Sequence, residues 1–141
     1  MYKLSFIVYG QPIAKSRPRF NIKTGNVYTP KKTKDYETHV RQAAWVAMSK
    51  HKYKIFDGNC SVEIKAFLSI PKSWTKQKKF EAELGKVIPT KPDIDNIAKS
   101  ILDGAQGVTF KDDKQIFHLA ITKRYQDEDT KPQVQVSIFW E

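Results

Sequence analysis

The sequence predicts one α+β domain of 141 residues, in which a small mixed β-sheet carries helices packed on one face. Four segments have the alternating or β-branched composition of strands, and two long segments between them have helical apolar periodicity. The length and a hydrophobic content of 40% suffice for one compact core spanning residues 1–141. No apolar run approaches the roughly 20 residues of a membrane span, so we expect no membrane partner.

The predicted strands lie at both ends and in the middle of the chain. Residues 2–9 are rich in β-branched and aromatic types and end at Gly10. Residues 60–70 alternate between apolar and polar side chains, which is typical of a half-buried strand. Residues 116–125 and 133–140 are predicted as two further strands, joined by an acidic turn at 126–132.

The apolar spacing predicts helices at 33–49 and at 94–103, with a shorter helix at about 74–84 inside a charged excursion. Thr33 is the expected N-cap of the first long helix. Gly104 follows the apolar stripe of the second, where a C-terminal cap usually stands.

The charge is strongly asymmetric. The net charge is +10, with 17 basic and 4 acidic residues in 1–80 but 8 basic and 11 acidic residues in 81–141. A basic half beside an acidic half favours a nucleic-acid partner, and an anionic membrane is disfavoured because no long basic amphipathic helix is present. The single cysteine, Cys60, and an N-terminus unlike a signal peptide predict a cytoplasmic protein.

A long connection at 10–32 concentrates cations that suit phosphate binding. Pro18 stiffens the chain between two arginines, whose guanidinium groups can bind phosphates in a bidentate manner. Phe20 and Tyr28 are interleaved with the cations. The candidate phosphate-binding residues here are Lys15, Arg17, Arg19, Lys31 and Lys32. A solvated, disordered loop is the alternative interpretation.

Carboxylates cluster around the second long helix. Asp93 is expected as its N-cap, Asp95 lies in its first turn, and Lys99 follows one turn later on the same face. Asp112 and Asp113 precede the next strand, and two glycines between the segments could let the chain turn back. We expect this turn to place Asp113 beside the start of the helix, in an oxygen-rich pocket for Mg²⁺. Ordinary helix-capping and turn acids are the alternative.

Other catalytic sites are not indicated. The three histidines have no partner at zinc-ligand spacing, and the sequence lacks a Walker lysine loop and a dinucleotide-binding glycine pattern. A serine triad would need a nucleophile turn that is also missing.

The run KPDIDNIAKSILDGAQGVTFKDDKQI at 91–116 resembles the RusA-type Holliday-junction resolvases of bacteria and their phages. The segments GQPIAKSRPRF and VYTPKKTKDYE resemble the phage-type branch of that family. The resemblance implies a homodimer that cuts four-way DNA junctions by symmetric nicks in a Mg²⁺-dependent reaction, with Mn²⁺ able to substitute.

By motif position, the resemblance implies that Asp93, Asp95 and Asp113 bind the metal and that Lys99 is the catalytic lysine. Asp112 ranks below Asp113 as a ligand, although the sequence does not separate them. Lys91 joins the basic loop in holding flanking phosphates.

Two other functions remain open from the sequence. The chain could be a branched-DNA-binding module without catalysis, or a Mg²⁺-dependent nuclease acting on other branched or RNA substrates. The sequence also does not identify the dimer interface, for which an exposed sheet edge and the region of Trp45 are equal candidates.

Overall fold

A computed structural model describes all residues from Met1 to Glu141. The elements follow in the order β1 (Tyr2–Tyr9), β2 (Arg19–Phe20), β3 (Val27–Tyr28), α1 (Lys31–His51), β4 (Cys60–Leu68), α2 (Lys76–Glu83), α3 (Ile94–Ala105), β5 (Ile116–Tyr125) and β6 (Gln133–Trp140). A 3-10 turn at Asp113–Gln115 precedes β5. The predicted α+β fold with a mixed sheet is confirmed, and no helix is both long and apolar enough to cross a bilayer.

The main sheet has four strands in the order β1-β6-β4-β5. β6 runs antiparallel to both β1 and β4, whereas β4 and β5 run parallel. The side chains of β4 show that the sheet has one buried and one exposed face. Val62, Ile64 and Ala66 are buried, while Glu63 and Lys65 on the opposite face are exposed. The buried face carries α1 and α3, and one core cluster joins sheet and helices.

Helices α1 and α3 approach each other closely at Gly104. A Cβ atom built at Gly104 would lie 2.6 Å from Cβ of Val40 and 2.9 Å from the carbonyl oxygen of Glu37. The expectation that Gly104 caps α3 is therefore wrong, because the helix continues to Ala105 and needs glycine for close packing. Thr33 is likewise not the N-cap of α1, which begins after Pro30. Its buried hydroxyl instead accepts a hydrogen bond from the Ser16 amide at 3.2 Å.

The long connection after β1 is ordered in part. β2 and β3 form a two-stranded hairpin that pairs Arg19 with Tyr28 and Phe20 with Val27. These short strands were not predicted from the sequence. In the charged excursion, α2 begins after Thr75, whose hydroxyl accepts a hydrogen bond from the Lys78 amide and so caps the helix.

Candidate metal and DNA-binding site

Two free carboxylates stand at the start of α3. Asp93 occupies the N-cap position, as expected, but its side chain makes no capping hydrogen bond. Asp95 follows in the first turn, and both residues are exposed. Neither carboxylate belongs to an ion pair within the chain. The positive end of the helix dipole stabilises negative charge at these positions, and all their oxygens remain available to a ligand.

Lys99 lies one turn beyond Asp95 on the same face of α3, and its side chain is exposed. It forms no ion pair with Asp95 or Asp103, although their spacing permits both. Asp103 is instead bound by Lys15, whose Nζ lies 3.1 Å from its Oδ2. The ammonium group of Lys99 is therefore free to act near the carboxylates of the first turn.

The backbone before Asp93 is held by a lysine from the sheet. Nζ of Lys123, on β5, donates a hydrogen bond to the carbonyl oxygen of Pro92 at 2.9 Å. The peptide bond between Lys91 and Pro92 is cis. The hydrogen bond between Lys123 and Pro92 places the C-terminal end of β5 beside the N-terminal end of α3.

The second acidic pair is organised by Gln115. Its Oε1 accepts hydrogen bonds from the amides of Lys111 and Asp112, and its Nε2 donates to the carbonyl oxygens of Phe56 and Gly58. The turn carrying the aspartates is therefore anchored to the chain just before β4.

Asp112 and Asp113 have different roles in this turn. Oδ1 of Asp112 accepts a hydrogen bond from the Lys114 amide at 2.9 Å, which completes a capping box with Gln115. That backbone hydrogen bond holds the pKa of Asp112 below its usual value. Asp113 is exposed and caps nothing, so it is the carboxylate left free for a ligand.

The two acidic groups do not meet within one chain, contrary to our expectation. Asp113 lies at the start of β5, whereas Asp93 lies next to Lys123, near the end of the same strand. Ile116 and Lys123 are separated by about 23 Å, because a strand rises about 3.3 Å per residue. Consistently, no group of three or more His, Cys, Asp or Glu side chains is placed to hold a metal ion. The glycines do turn the chain, but α3 and β5 run antiparallel and carry Asp113 to the far end.

Asp93 and Asp95 nevertheless fit a magnesium ion as a pair. Mg²⁺ commonly takes one or two protein carboxylates and completes its shell with water and phosphate oxygens. The two side chains are exposed, lie two positions apart in the sequence and are unengaged, which matches that donor set. They would hold the ion at the N-terminal end of α3.

Of the predicted phosphate-binding residues, Lys15 differs from the others. Its Nζ lies 3.0 Å and 3.1 Å from the two oxygens of Glu37 and 3.1 Å from Asp103, so it bridges α1 and α3. Burial lowers the pKa of Lys15, but hydrogen bonds with both carboxylates outweigh it and the pKa is raised. The remaining predicted cations are exposed and belong to no ion pair, namely Arg17, Arg19, Lys31, Lys32 and Lys91.

Two residues near the site were missed from the sequence. Lys123 occupies the same face of β5 as Ile121 and Tyr125, and a charged residue on the core-facing side of a strand was a usable signal. Glu37 gave no such signal, because its partner Lys15 is 22 positions away in the chain.

Two sequence comparisons identify relatives of this chain. The chain is 38% identical over 140 residues to YqaN, an uncharacterized protein of Bacillus subtilis (strain 168), and the match covers 96% of this chain and 94% of that protein. Residues 9–138 match the family described as Endodeoxyribonuclease RusA, which spans the basic connection, α3 and both acidic pairs. The chain therefore belongs to the RusA endodeoxyribonuclease family.

Proposed function

We propose that this protein is a Mg²⁺-dependent, structure-selective endodeoxyribonuclease. It resolves four-way DNA junctions by symmetric hydrolysis of phosphodiester bonds during recombination or repair. Membership of the RusA family supports an endodeoxyribonuclease that acts on branched DNA. The separate support from the structure is that exposed arginines are tied to the turn of helix that carries the free carboxylates.

That connection consists of backbone and side-chain contacts. The Lys15 amide donates a hydrogen bond to the Asn96 carbonyl oxygen at 2.9 Å, in the first turn of α3. Arg17 and Arg19 follow directly and are exposed. A DNA strand whose phosphates lie on these guanidinium groups would pass beside Asp93 and Asp95. Phe20 and Tyr28 are exposed on the same hairpin and offer rings for contact with unstacked bases at a branch point.

The proposed chemistry follows from the groups at the N-terminal end of α3. Mg²⁺ held by Asp93 and Asp95 would polarise the scissile phosphate and lower the pKa of a bound water. The free ammonium of Lys99 can orient the attacking water or offset negative charge that develops on the phosphate. Lys91, exposed just before Asp93, can hold a flanking phosphate.

A homodimer suits this substrate. A four-way junction is roughly two-fold symmetric, so a two-fold dimer presents equivalent sites to two strands of like polarity. Symmetric nicks at opposite strands would then follow from the symmetry of the protein.

The decisive experiment is cleavage of a synthetic four-way junction with both nicks mapped, in Mg²⁺, in Mn²⁺ and in EDTA. We expect paired nicks with either metal and none in EDTA. Asp93→Asn should abolish cleavage and leave junction binding equal or tighter, since one anion is removed. Asp35→Asn is the matched control, because it removes an exposed, unpaired carboxylate from α1. A flap, a linear duplex and an RNA hairpin tested in parallel would reveal a nuclease of other specificity.

A branched-DNA-binding module without catalysis is the second candidate, and it is favoured by the absence of a three-carboxylate group within one chain. Binding without cleavage by the wild-type protein would establish it. In either case, replacing Arg17 and Arg19 by alanine should weaken binding and flatten its salt dependence, by a log–log slope of about 0.9 for each phosphate that the protein no longer neutralises. An unchanged slope would place the phosphate-binding groups elsewhere.

A further inference from the structure

Strand β1 forms the edge of the sheet opposite to β5, and this edge is unprotected. β1 pairs only with β6, along its whole length of 8 residues. Edge strands are usually blocked by proline, by a bulge or by several charges, because free backbone groups can pair with another chain. β1 has no proline, its ladder with β6 has no shift of register, and Lys3 is its one charged residue. An edge of this kind favours pairing with another polypeptide.

The ladder with β6 identifies which backbone groups of β1 remain free. The Gly10 amide donates a hydrogen bond to the Pro132 carbonyl oxygen at 3.0 Å, one step beyond the pairing of Tyr9 with Gln133. In an antiparallel ladder, hydrogen-bonded and non-hydrogen-bonded pairs alternate along the strand. Every second residue before Gly10 therefore bonds to β6, and the residues between them direct their amide and carbonyl groups away from it. Those residues are Lys3, Ser5, Ile7 and Tyr9.

The free edge opens into a cleft between β1 and α1. Three of the residues with free backbone groups line one side of the cleft, namely Ser5, Ile7 and Tyr9. The apolar part of the other side comes from α1, at Ala43, Val46 and Ala47. When an extended peptide adds to a sheet edge, backbone hydrogen bonds give affinity and pockets for alternate side chains give specificity. The cleft supplies both, because a strand beside β1 would direct alternate side chains towards the apolar surface of α1.

The charge of the cleft indicates what kind of peptide it accepts. Lys50 and His51 line it near the C-terminal end of α1, and His39 lines it about three turns earlier on the same helix. These side chains are exposed and belong to no ion pair, and no acidic residue lines the cleft. A lysine attracts a carboxylate, and a histidine can donate an N–H to one even when it is neutral. The complementary peptide therefore has an apolar centre with carboxylates at both ends.

We propose that the cleft between β1 and α1 binds an extended acidic segment of another protein, which adds to β1 as a fifth strand of the main sheet. The site is independent of the nuclease function proposed above. β1 and β5 are separated by two strands, which corresponds to about 14 Å across the sheet. Because α3 begins beside the end of β5, a segment bound at β1 leaves Asp93 and Asp95 open to DNA.

Two other occupants match the cleft less well. A second copy of this chain would offer its own β1, which carries one lysine and no acidic residue to meet Lys50 and His51. DNA would be attracted by the positive charge, but it has no peptide groups to pair with the free amides and carbonyls of β1. An acidic polypeptide satisfies both the backbone and the charge.

Peptide binding followed by fluorescence anisotropy tests the chemistry of the ligand. The probe is a fluorescein-labelled peptide of sequence Asp-Glu-Val-Ile-Val-Glu-Asp. We expect it to bind at least about 10-fold more tightly than its counterpart Lys-Arg-Val-Ile-Val-Arg-Lys. It should exceed by a similar factor the same acidic peptide with an N-methylated apolar centre, which cannot donate hydrogen bonds to β1. Equal binding of the three peptides, or no binding of the acidic one, would overturn the proposal.

Substitutions in the cleft separate the backbone contacts from the charge. Ile7→Pro removes a free amide of β1 and leaves the ladder intact, because that amide points away from β6. Lys50→Glu reverses the charge beside the apolar surface. Each should weaken binding of the acidic peptide at least about 10-fold. The matched controls are Ile7→Thr, which keeps the amide, and Lys65→Glu, which changes an exposed lysine of β4 outside the cleft; both should bind as the wild type does. Equal losses in a variant and its control would contradict the assignment.

Hydrogen exchange of the wild-type amides, resolved by NMR, does not depend on the folding of any variant. The amides of Ser5, Ile7 and Tyr9 should become protected only when the acidic peptide is bound, whereas those of Phe6 and Val8 are protected already by β6. Protection along β5 instead of β1 would overturn the proposal. Displacement of the peptide by a four-way junction would assign the cleft to DNA, and a dimer that dissociates on Val46→Asp in sedimentation equilibrium would assign it to a second copy. Either result would also overturn it.

Discussion

Nζ of Lys123 lies 2.9 Å from the carbonyl oxygen of Pro92, and this hydrogen bond joins the end of β5 to the residue that precedes Asp93. The lysine projects from the core-facing side of the strand and crosses to the start of α3. Its position is fixed by the sheet, because Lys123 lies in the ladder that pairs β5 with β4. The carboxylate at the N-cap of α3 is thus placed relative to the sheet as well as by its own helix.

We predict that Lys123→Met lowers the rate of junction cleavage about 10-fold, because small displacements of a reacting group carry large rate costs. Junction affinity should change little, and the free energy of unfolding should fall by about 1 kcal/mol on removal of one hydrogen bond. Steady-state cleavage and urea denaturation measure these effects. Lys65→Met is the control, because it removes an exposed lysine from the opposite face of the neighbouring strand. Equal reductions of the cleavage rate in both variants would show that the loss of a positive charge, and not the loss of the hydrogen bond to Pro92, slows the reaction.

Lys15 is predicted to act as a structural clamp. Lys15→Met leaves the carboxylates of Glu37 and Asp103 without their shared cation, and the Glu37 side chain is only 14% exposed. We expect the free energy of unfolding to fall by about 1–3 kcal/mol, while the salt slope of junction binding stays unchanged. Chemical denaturation and binding titrations at several salt concentrations separate the two effects. A reduced salt slope with unchanged stability would instead return Lys15 to the phosphate-binding residues proposed from the sequence.

The sequence predicted the regular elements well and the contacts between them poorly. Strand β1 and the two C-terminal strands were predicted with the bounds that the structure shows, since alternation and turn residues act locally. Gly104 was misassigned because glycine at the end of an apolar stripe is typical of a cap. Its actual role depends on Val40, 64 residues earlier, which lies within 2.6 Å of the position its Cβ would take.

The candidate site also combines features that local sequence predicts with features that depend on contacts between elements. The pairing of Asp93 with Asp95 at a helix start follows from neighbouring residues and needed no tertiary information. The position of Asp113 depends on the direction in which β5 runs relative to α3. Spacing along the chain cannot reveal that direction, because a connection with two glycines permits either end of the strand to approach the helix.

The assignment of Asp112 to capping gives a prediction that separates it from its neighbour. Asparagine is as good a cap as aspartate, so Asp112→Asn should retain the turn with little change in stability and keep most of the cleavage activity. Asp113→Asn should retain stability and lose cleavage. Thermal unfolding and junction cleavage on the two variants provide the comparison. Loss of cleavage in Asp112→Asn with normal stability would make Asp112 the ligand.

The buried hydroxyl of Tyr36 destabilises the folded state, and a single substitution can remove it. Its side chain is 6% exposed, and its hydroxyl has no hydrogen-bond partner. Burial raises the pKa of Tyr36 well above its usual value of 10.0. Tyr36→Phe deletes the unpaired hydroxyl, so we expect the free energy of unfolding to rise by about 1 kcal/mol at pH 7.

The same residue predicts a dependence of stability on alkaline pH. As the pH rises above 10, the unfolded chain ionises Tyr36 while the folded chain keeps it protonated, so this residue makes the folded state progressively less stable. Tyr36→Phe should lack that part of the decline, and the advantage of the variant should widen between pH 9 and about pH 11. Urea denaturation at each pH measures it, with Tyr9→Phe as the control because Tyr9 is 66% exposed. A variant less stable than the wild type at pH 7 would mean that the hydroxyl has a partner in solution.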